Sequence, residues 1–160
     1  MANNNLGSLS YSTKKKKIAL FGSTGMAGLA ISFHLQSLGF EVQNFPRKVF
    51  DILVSSVSEL DLAGIDFVVN AAGMINRREK NIDFANQARI VNTNFPLALA
   101  DVCARRKIPM LHLSTDCVFD GQKGKYTETD AVSVKDLYAE TKYLGEPENA
   151  MVLRLSMVGP

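Results

Sequence analysis

The 160-residue chain has no tryptophan, only two cysteines and only two histidines. Cys103 and Cys117 cannot build a disulfide framework, and they lack the paired spacing of a zinc finger or ribbon. His34 and His112 lie far apart and belong to no HExxH or mixed His/Cys cluster, so no metal site is expected. No apolar run approaches the ~18 residues of a membrane span. The polar start around Asn3-Asn4-Asn5 lacks the apolar core of a secretion signal. A reducing cytoplasmic setting with no membrane partner is the resulting expectation. Net charge is nearly absent as well. The formal value is +2, but Lys14 to Lys17 supply 4 of the 18 basic residues, leaving 14 basic against 16 acidic elsewhere. Such a body offers no case for a nucleic-acid partner.

What is present suits one globular core: 46% of residues are hydrophobic and 21% charged,. Residues 1–14 read as a disordered tail ending in the lysine run, and residues 15–160 as one domain. Beyond the tail, short apolar strands alternate with longer amphipathic segments. Strands are expected at Lys17–Phe21, Phe40–Phe45, Val49–Ile52, Asp66–Asn70, Met110–Ser114 and Met151–Leu155. Helices are expected at Met26–Leu38, Asn86–Arg106 and Val134–Gly145, the first ended by Gly39. The long Asn86–Arg106 helix would give Ile90, Leu97, Ala98 and Val102 to the core. Strand–helix alternation of this kind predicts an α/β fold, a doubly wound parallel sheet with helices on both faces. Ligands of such a fold bind beyond the carboxyl ends of the strands.

The first strand runs directly into Gly22-Ser23-Thr24-Gly25-Met26-Ala27-Gly28. Early glycines permit a tight turn and close backbone approach to a pyrophosphate, and Gly28 lets the helix pack against the strand. The free N–H groups at the helix start would then meet the anion. Gly22, Thr24, Gly25, Met26 and Gly28 are therefore the candidate phosphate contacts. The second strand ends in Gln43-Asn44-Phe45-Pro46-Arg47-Lys48, with no carboxylate before the basic pair. A basic residue there tolerates a ribose 2′-phosphate, so Arg47 leans the expected cofactor toward NADP, with NAD possible; a solvated loop cation explains Arg47 equally well. Asn70-Ala71-Ala72-Gly73 ends another strand with small residues that let a flat ring or ribose approach the backbone.

Tyr138-Ala139-Glu140-Thr141-Lys142 sets a phenol and an ammonium four residues apart on one helix face. A nearby cation favours the phenolate, which suits proton transfer near neutral pH. Tyr11-Ser12-Thr13-Lys14-Lys15 repeats the spacing but precedes every strand, so position selects Tyr138. Asn76-Arg77-Arg78-Glu79-Lys80 reads as a solvated loop, with contact to a substrate diphosphate as the alternative.

Together with Ser114-Thr115-Asp116-Cys117-Val118-Phe119-Asp120-Gly121 and Gly145-Glu146, these motifs resemble the extended short-chain dehydrogenase/reductase family. Within it they resemble the dTDP-4-dehydrorhamnose reductase branch. The resemblance runs from about Lys17 to the end and includes Val152-Leu153-Arg154-Leu155-Ser156. It implies a Rossmann-type NAD(P)-binding domain and a nucleotide-sugar substrate. By the same resemblance, Tyr138 donates a proton to a keto oxygen while hydride arrives from the nicotinamide. Lys142 binds the nicotinamide ribose and tunes Tyr138, and Thr115 hydrogen-bonds the reacting oxygen, with Ser114 as a substitute. Asp51-Ile52 matches an adenine-contacting pair, and Asn92 falls where the family supports its active-site helix. Capping or turn roles explain Thr115, Asn92 and Asp51 without any ligand.

The family takes its substrate-binding part mostly from a C-terminal half, whereas these residues end at Val158-Gly159-Pro160. The expectation is a cofactor-binding half lacking most of the substrate domain. Three readings stay open: a reductase of a 4-keto sugar nucleotide, a nucleotide-binding or regulatory module without turnover, and a nucleotide-sugar epimerase or dehydratase. Family habit adds a homodimer through the Asn86–Arg106 helix.

Overall fold

The computed structural model describes residues 14–75 and 82–156. Most of the tail, including Tyr11, and the Asn76–Lys80 loop lie outside the described residues. The elements are β1 (Lys17–Phe21), α1 (Met26–Ser37), β2 (Glu41–Phe45), β3 (Phe67–Asn70) and α2 (Ile82–Arg89). A π-helical turn (Ile90–Asn94), α3 (Phe95–Arg105), β4 (Met110–Thr115), α4 (Leu137–Leu144) and β5 (Met151–Leu155) follow. The five strands form one sheet in the order β2-β1-β3-β4-β5, and every neighbouring pair is parallel.

Alternation along the strands divides the sheet into two faces. Ala19, Phe21, Val68 and Met110 point to one side, where Phe95, Leu99 and Cys103 of α3 meet them. Four aromatic rings centre that core: Phe21 stacks on Phe45 at 4.7 Å and meets Phe95 edge-on at 5.4 Å, with Phe50 closing the group. Ile18, Leu20 and Val69 point to the other side, where Ile31 and Leu35 of α1 cover them. Farther along this second face, Leu111, Leu113, Leu153 and Leu155 line a wholly apolar trough beside Ala27 and Ala30 of α1. Helices thus lie on both faces, as the alternation predicts, though unequally.

Three expectations change. No strand forms at Val49–Ile52. The N–H groups of Val49 and Phe50 bond the Pro46 carbonyl, those of Val54 and Ser55 bond the Asp51 carbonyl, and the Asp51 side chain accepts from Leu53 N–H. These turns curl the segment and bury Phe50, so among the described residues the sheet has five strands rather than the expected six. The expected Asn86–Arg106 helix begins earlier and is interrupted by the π turn, which places Asn92 in the interior. Of the four residues expected in the core, Val102 is there, Ile90 and Ala98 are half-buried outside it, and Leu97 is exposed. The last helix starts at Leu137, three residues later than expected, because Asp136 caps it by accepting from Ala139 N–H at 2.8 Å,.

Candidate functional site

The sheet changes direction between β1 and β3, and the loops after these two strands diverge to open a crevice,. Gly22 sits there with φ +74°, and a Cβ on it would lie 2.5 Å from the Ala72 nitrogen. A Cβ on Gly28 would lie 2.1 Å from the Gly22 carbonyl oxygen. Both glycines are thus required by close backbone approach, Gly28 packing the helix onto the loop rather than facing the crevice. α1 begins at Met26 with no side-chain cap and no acid in its first turn. A helix start of that kind is matched to an anion.

A cleft of about 320 Å³ occupies the crevice. Gly22, Thr24, Gly25, Arg47, Asp51, Ile52, Ala71, Ala72 and Gly73 all line it, with Phe45 and Phe50 of the aromatic core beside them. The curled segment that replaced the expected third strand is what brings Asp51 and Ile52 into this wall. Arg47 Nε bonds Asp51 Oδ2 at 3.0 Å, and that contact, with the Leu53 N–H, holds the Asp51 carboxyl below the usual range. Met26 is exposed at the helix start, and Asn70 is fully buried. Asn70 therefore shapes the turn instead of facing the cleft: its Oδ1 accepts from Ala72 N–H at 3.0 Å. Met74, Gln87 and Val91 also line the cleft; no sequence motif marked them.

Tyr138, Lys142 and Thr115 gather at the carboxyl end of β4. Thr115 is buried and ends the strand, its hydroxyl accepting from Cys117 N–H at 3.2 Å. Ser114 faces elsewhere, donating to Glu146 Oε1 at 2.5 Å, while Glu146 also holds Arg154 in a bidentate pair. Burial pushes the Tyr138 phenol up, against a downward pull from the Thr115 side chain. Lys142, expected from its spacing to favour the phenolate, has its Nζ engaged elsewhere. The Lys142 amino group turns inward, donating to the Leu113 carbonyl at 2.5 Å and lying 3.3 Å from His112 Nε2. Burial lowers Lys142 to about 8 and His112 to about 3,.

Asn92 joins the two clusters. Its Oδ1 accepts from Met74 N–H at 2.7 Å; its Nδ2 donates to the Met74 carbonyl at 2.9 Å and to Thr141 Oγ1 at 3.1 Å. Thr93 donates to the Thr141 carbonyl, and a Cβ on Gly145 would lie 1.8 Å from the Asn92 carbonyl oxygen. One π turn therefore ties the loop after β3 to α4. Sequence reasoning placed Asn92 in this supporting position but set His112 aside as an isolated histidine. Its location on a strand two residues before Ser114-Thr115 was the available signal. Among the described residues no group of three His, Cys, Asp or Glu could hold a metal ion, and no helix is long and apolar enough to cross a membrane.

A parallel α/β sheet with a glycine cradle at its switch point and a Thr, Tyr and Lys cluster one strand away defines an α/β domain of the Rossmann type. A family model described as the RmlD substrate binding domain matches residues 16–158, and the chain belongs to that family. The chain is 33% identical over 128 residues to a dTDP-4-keto-6-deoxy-D-glucose reductase of Streptomyces niveus, a match covering 78% of this chain and 44% of that protein. A crystal structure of a dTDP-4-dehydrorhamnose reductase from Clostridium acetobutylicum superposes with a TM-score of 0.70 at 28% identity, over 81% of this chain and 47% of that one. A dTDP-4-dehydrorhamnose reductase from Bacillus anthracis, solved in complex with NADP, shares the fold at a TM-score of 0.72 and 18% identity, over 84% of this chain and 49% of that one. The chain spans half or less of the length of the curated relatives it matches.

Proposed function

We propose that this chain is the cofactor-binding and proton-donating half of an NAD(P)-dependent reductase acting on a 4-keto sugar nucleotide. The observation that carries the reading is the pairing of the glycine-lined cleft with Thr115 and Tyr138 at the carboxyl end of β4, one strand away. The cleft suits a dinucleotide. A Cβ at Gly22 would run into the Ala71-Ala72 backbone across the cleft, the start of α1 lacks an acid, and Arg47 and Asp51 both line the cleft. Arg47 would meet a 2′-phosphate, and the neighbouring Asp51 leaves NAD possible as the weaker ligand.

Bound nicotinamide supplies the hydride that reduces the keto carbon. Tyr138 gives its phenolic proton to the carbonyl oxygen as that oxygen gains charge, so the ketone becomes an alcohol. Thr115 holds the same oxygen and keeps Tyr138 aligned, and Lys142 lies one helical turn on to support the ribose and the phenolate. Recognition of the sugar nucleotide requires polypeptide beyond these 160 residues, consistent with the half-length match to the relatives. The apolar trough over β4 and β5 is the surface on which that polypeptide would pack. Pairing of two chains across the exposed Leu97 side of α3 belongs to the same proposal, and sedimentation as a monomer removes it.

Titration of the protein with NADPH and NADH tests the core of the reading. NADPH should bind more tightly than NADH, and Arg47→Ala should erase most of that preference. In the reductase with its substrate half, Tyr138→Phe should lower keto-sugar reduction by about 10²–10⁴-fold; wild-type turnover by this variant overturns the role. A second reading, a nucleotide-binding module without turnover, is favoured by the half-length match alone. Keto-sugar reduction by the 160-residue chain itself would exclude it.

A further inference from the structure

A hydrogen-bonded line runs through the interior from the loop after β3 to α4, and its members settle one another's protons. Ala72 N–H donates to Asn70 Oδ1 at 3.0 Å, which fixes the orientation of the Asn70 amide. Asn70 Nδ2 then lies 3.1 Å from His112 Nδ1. An amide nitrogen only donates, so Nδ1 accepts, and a neutral imidazole carries its proton on Nε2. That Nε2–H lies 3.3 Å from Lys142 Nζ. An ammonium has no lone pair to offer it, whereas a neutral amine has one. The amine also keeps an N–H for the Leu113 carbonyl at 2.5 Å.

We propose that His112 is a positioning residue for Lys142, its Nε2–H held by the lone pair of Nζ, so that the cradle selects the neutral amine. Doubly protonated His112 would set Nδ1–H against the Asn70 N–H, so the line cannot be completed by charging the ring. Asn70 and His112 are fully buried and Lys142 nearly so, leaving little water to relieve a donor facing a donor,. The lowered pKa values of His112 and Lys142 rest on the same burial. Other groups around Lys142 leave the argument standing. Glu146, past the end of α4, favours the ammonium but is already committed to Arg154 and Ser114. Tyr138, one turn back on α4, is pushed toward its neutral form. The π turn presents the neutral Asn92 through Thr141.

The functional consequence, that above its midpoint Lys142 must break from His112 and gain a proton before it can act as a cation, rests on the reductase reading; the test does not. Lysine side-chain NMR of the full 160-residue chain, with Lys142→Met for assignment, should show Lys142 deprotonating with a midpoint at or below about 8. His112→Gln offers the ammonium a carbonyl and should raise that midpoint by about one pH unit or more. The nitrogen shifts of His112 in the wild type give a readout that needs no variant, and they should report a proton on Nε2. A proton on Nδ1, a Lys142 midpoint near the ~10.4 of a free lysine, or a midpoint unmoved by His112→Gln overturns the proposal. Failure to bind NADPH alongside the expected shifts would remove the reductase reading and leave this one intact.

Discussion

The two faces of the sheet differ in what they bury. On the face of α3 and α4, fifteen residues close into one core around Phe21, and the polar interior of Asn70, Asn92, His112, Thr141 and Lys142 lies on the same side. On the face of α1, the buried hydrophobic cluster is three strand residues, Ile18, Leu20 and Val69. Leucines of β4 and β5 stay beside an apolar trough, and Leu29, Phe33 and Leu153 are 61%, 76% and 44% exposed. Stability and candidate chemistry therefore share one face. The other carries apolar surface of the sort that marks an interaction site. α1 carries apolar residues on both sides: Ile31 and Leu35 cover the strands while Leu29 and Phe33 point outward,.

Core truncation gives the largest expected contrast. Phe21→Ala removes the ring that Phe45, Phe50 and Phe95 all touch and should cost about 3–5 kcal/mol in denaturant unfolding,. Phe33→Ala on the outward side of α1 should change stability by no more than about 0.5 kcal/mol. Equal losses at the two positions would break the comparison. So would a Phe33→Ala loss of core size, because α1 would then be covered in solution.

Titration sharpens the comparison next. His112 is neutral in the fold down to about pH 3 but protonates near 6.5 when unfolded. Between those values the unfolded chain binds a proton that the native chain does not, so stability falls as pH falls through that window. The slope should reach about 1.4 kcal/mol per pH unit, and His112→Gln should remove that component. Lys142 acts in the same direction at the other end. Its folded value of about 8 lies below the unfolded 10.5, so stability should rise with pH between them, and Lys142→Met should flatten that rise. Unfolding midpoints across pH 4–10 for the three proteins measure both effects.

The strands that were legible in the sequence are the buried parallel ones, Lys17–Phe21 and Met110–Thr115 above all, because continuous apolar runs ended by Gly22 or a polar Ser-Thr-Asp have few alternatives. The cleft was legible for a related reason: glycines forced by close approach leave a spacing that side-chain chemistry does not require. Val49–Ile52 misled because three apolar residues around Asp51 look extended locally, while the turn bonds that curl them depend on Pro46 and on the Asp51 side chain. The π turn was illegible, since Ile90-Val91-Asn92-Thr93-Asn94 satisfies a helical pattern as well as any stretch of α3. The inward turn of Lys142 was hidden too. Spacing placed its Cα one turn from Tyr138, but the direction of Nζ is set by His112 and Leu113, thirty residues earlier in the chain.

The two cysteines offer the finest probe of the difference. Cys103 lies on α3 in the centre of the covered core, and burial raises its thiol to about 11; Cys117 is exposed in the turn after β4. The thiolate is the reacting species, so a thiol reagent at pH 8 should label Cys117 at once. Cys103 should react only when the covered face opens, at a rate lower by about 100-fold or more. Cys117→Ser isolates that slow phase. Adding Phe21→Ala should speed it in proportion to the lost stability, and adding Phe33→Ala should leave it unchanged. Rapid labelling of both cysteines in the wild type would mean that the face carrying His112, Lys142 and Asn92 is not the rigid one.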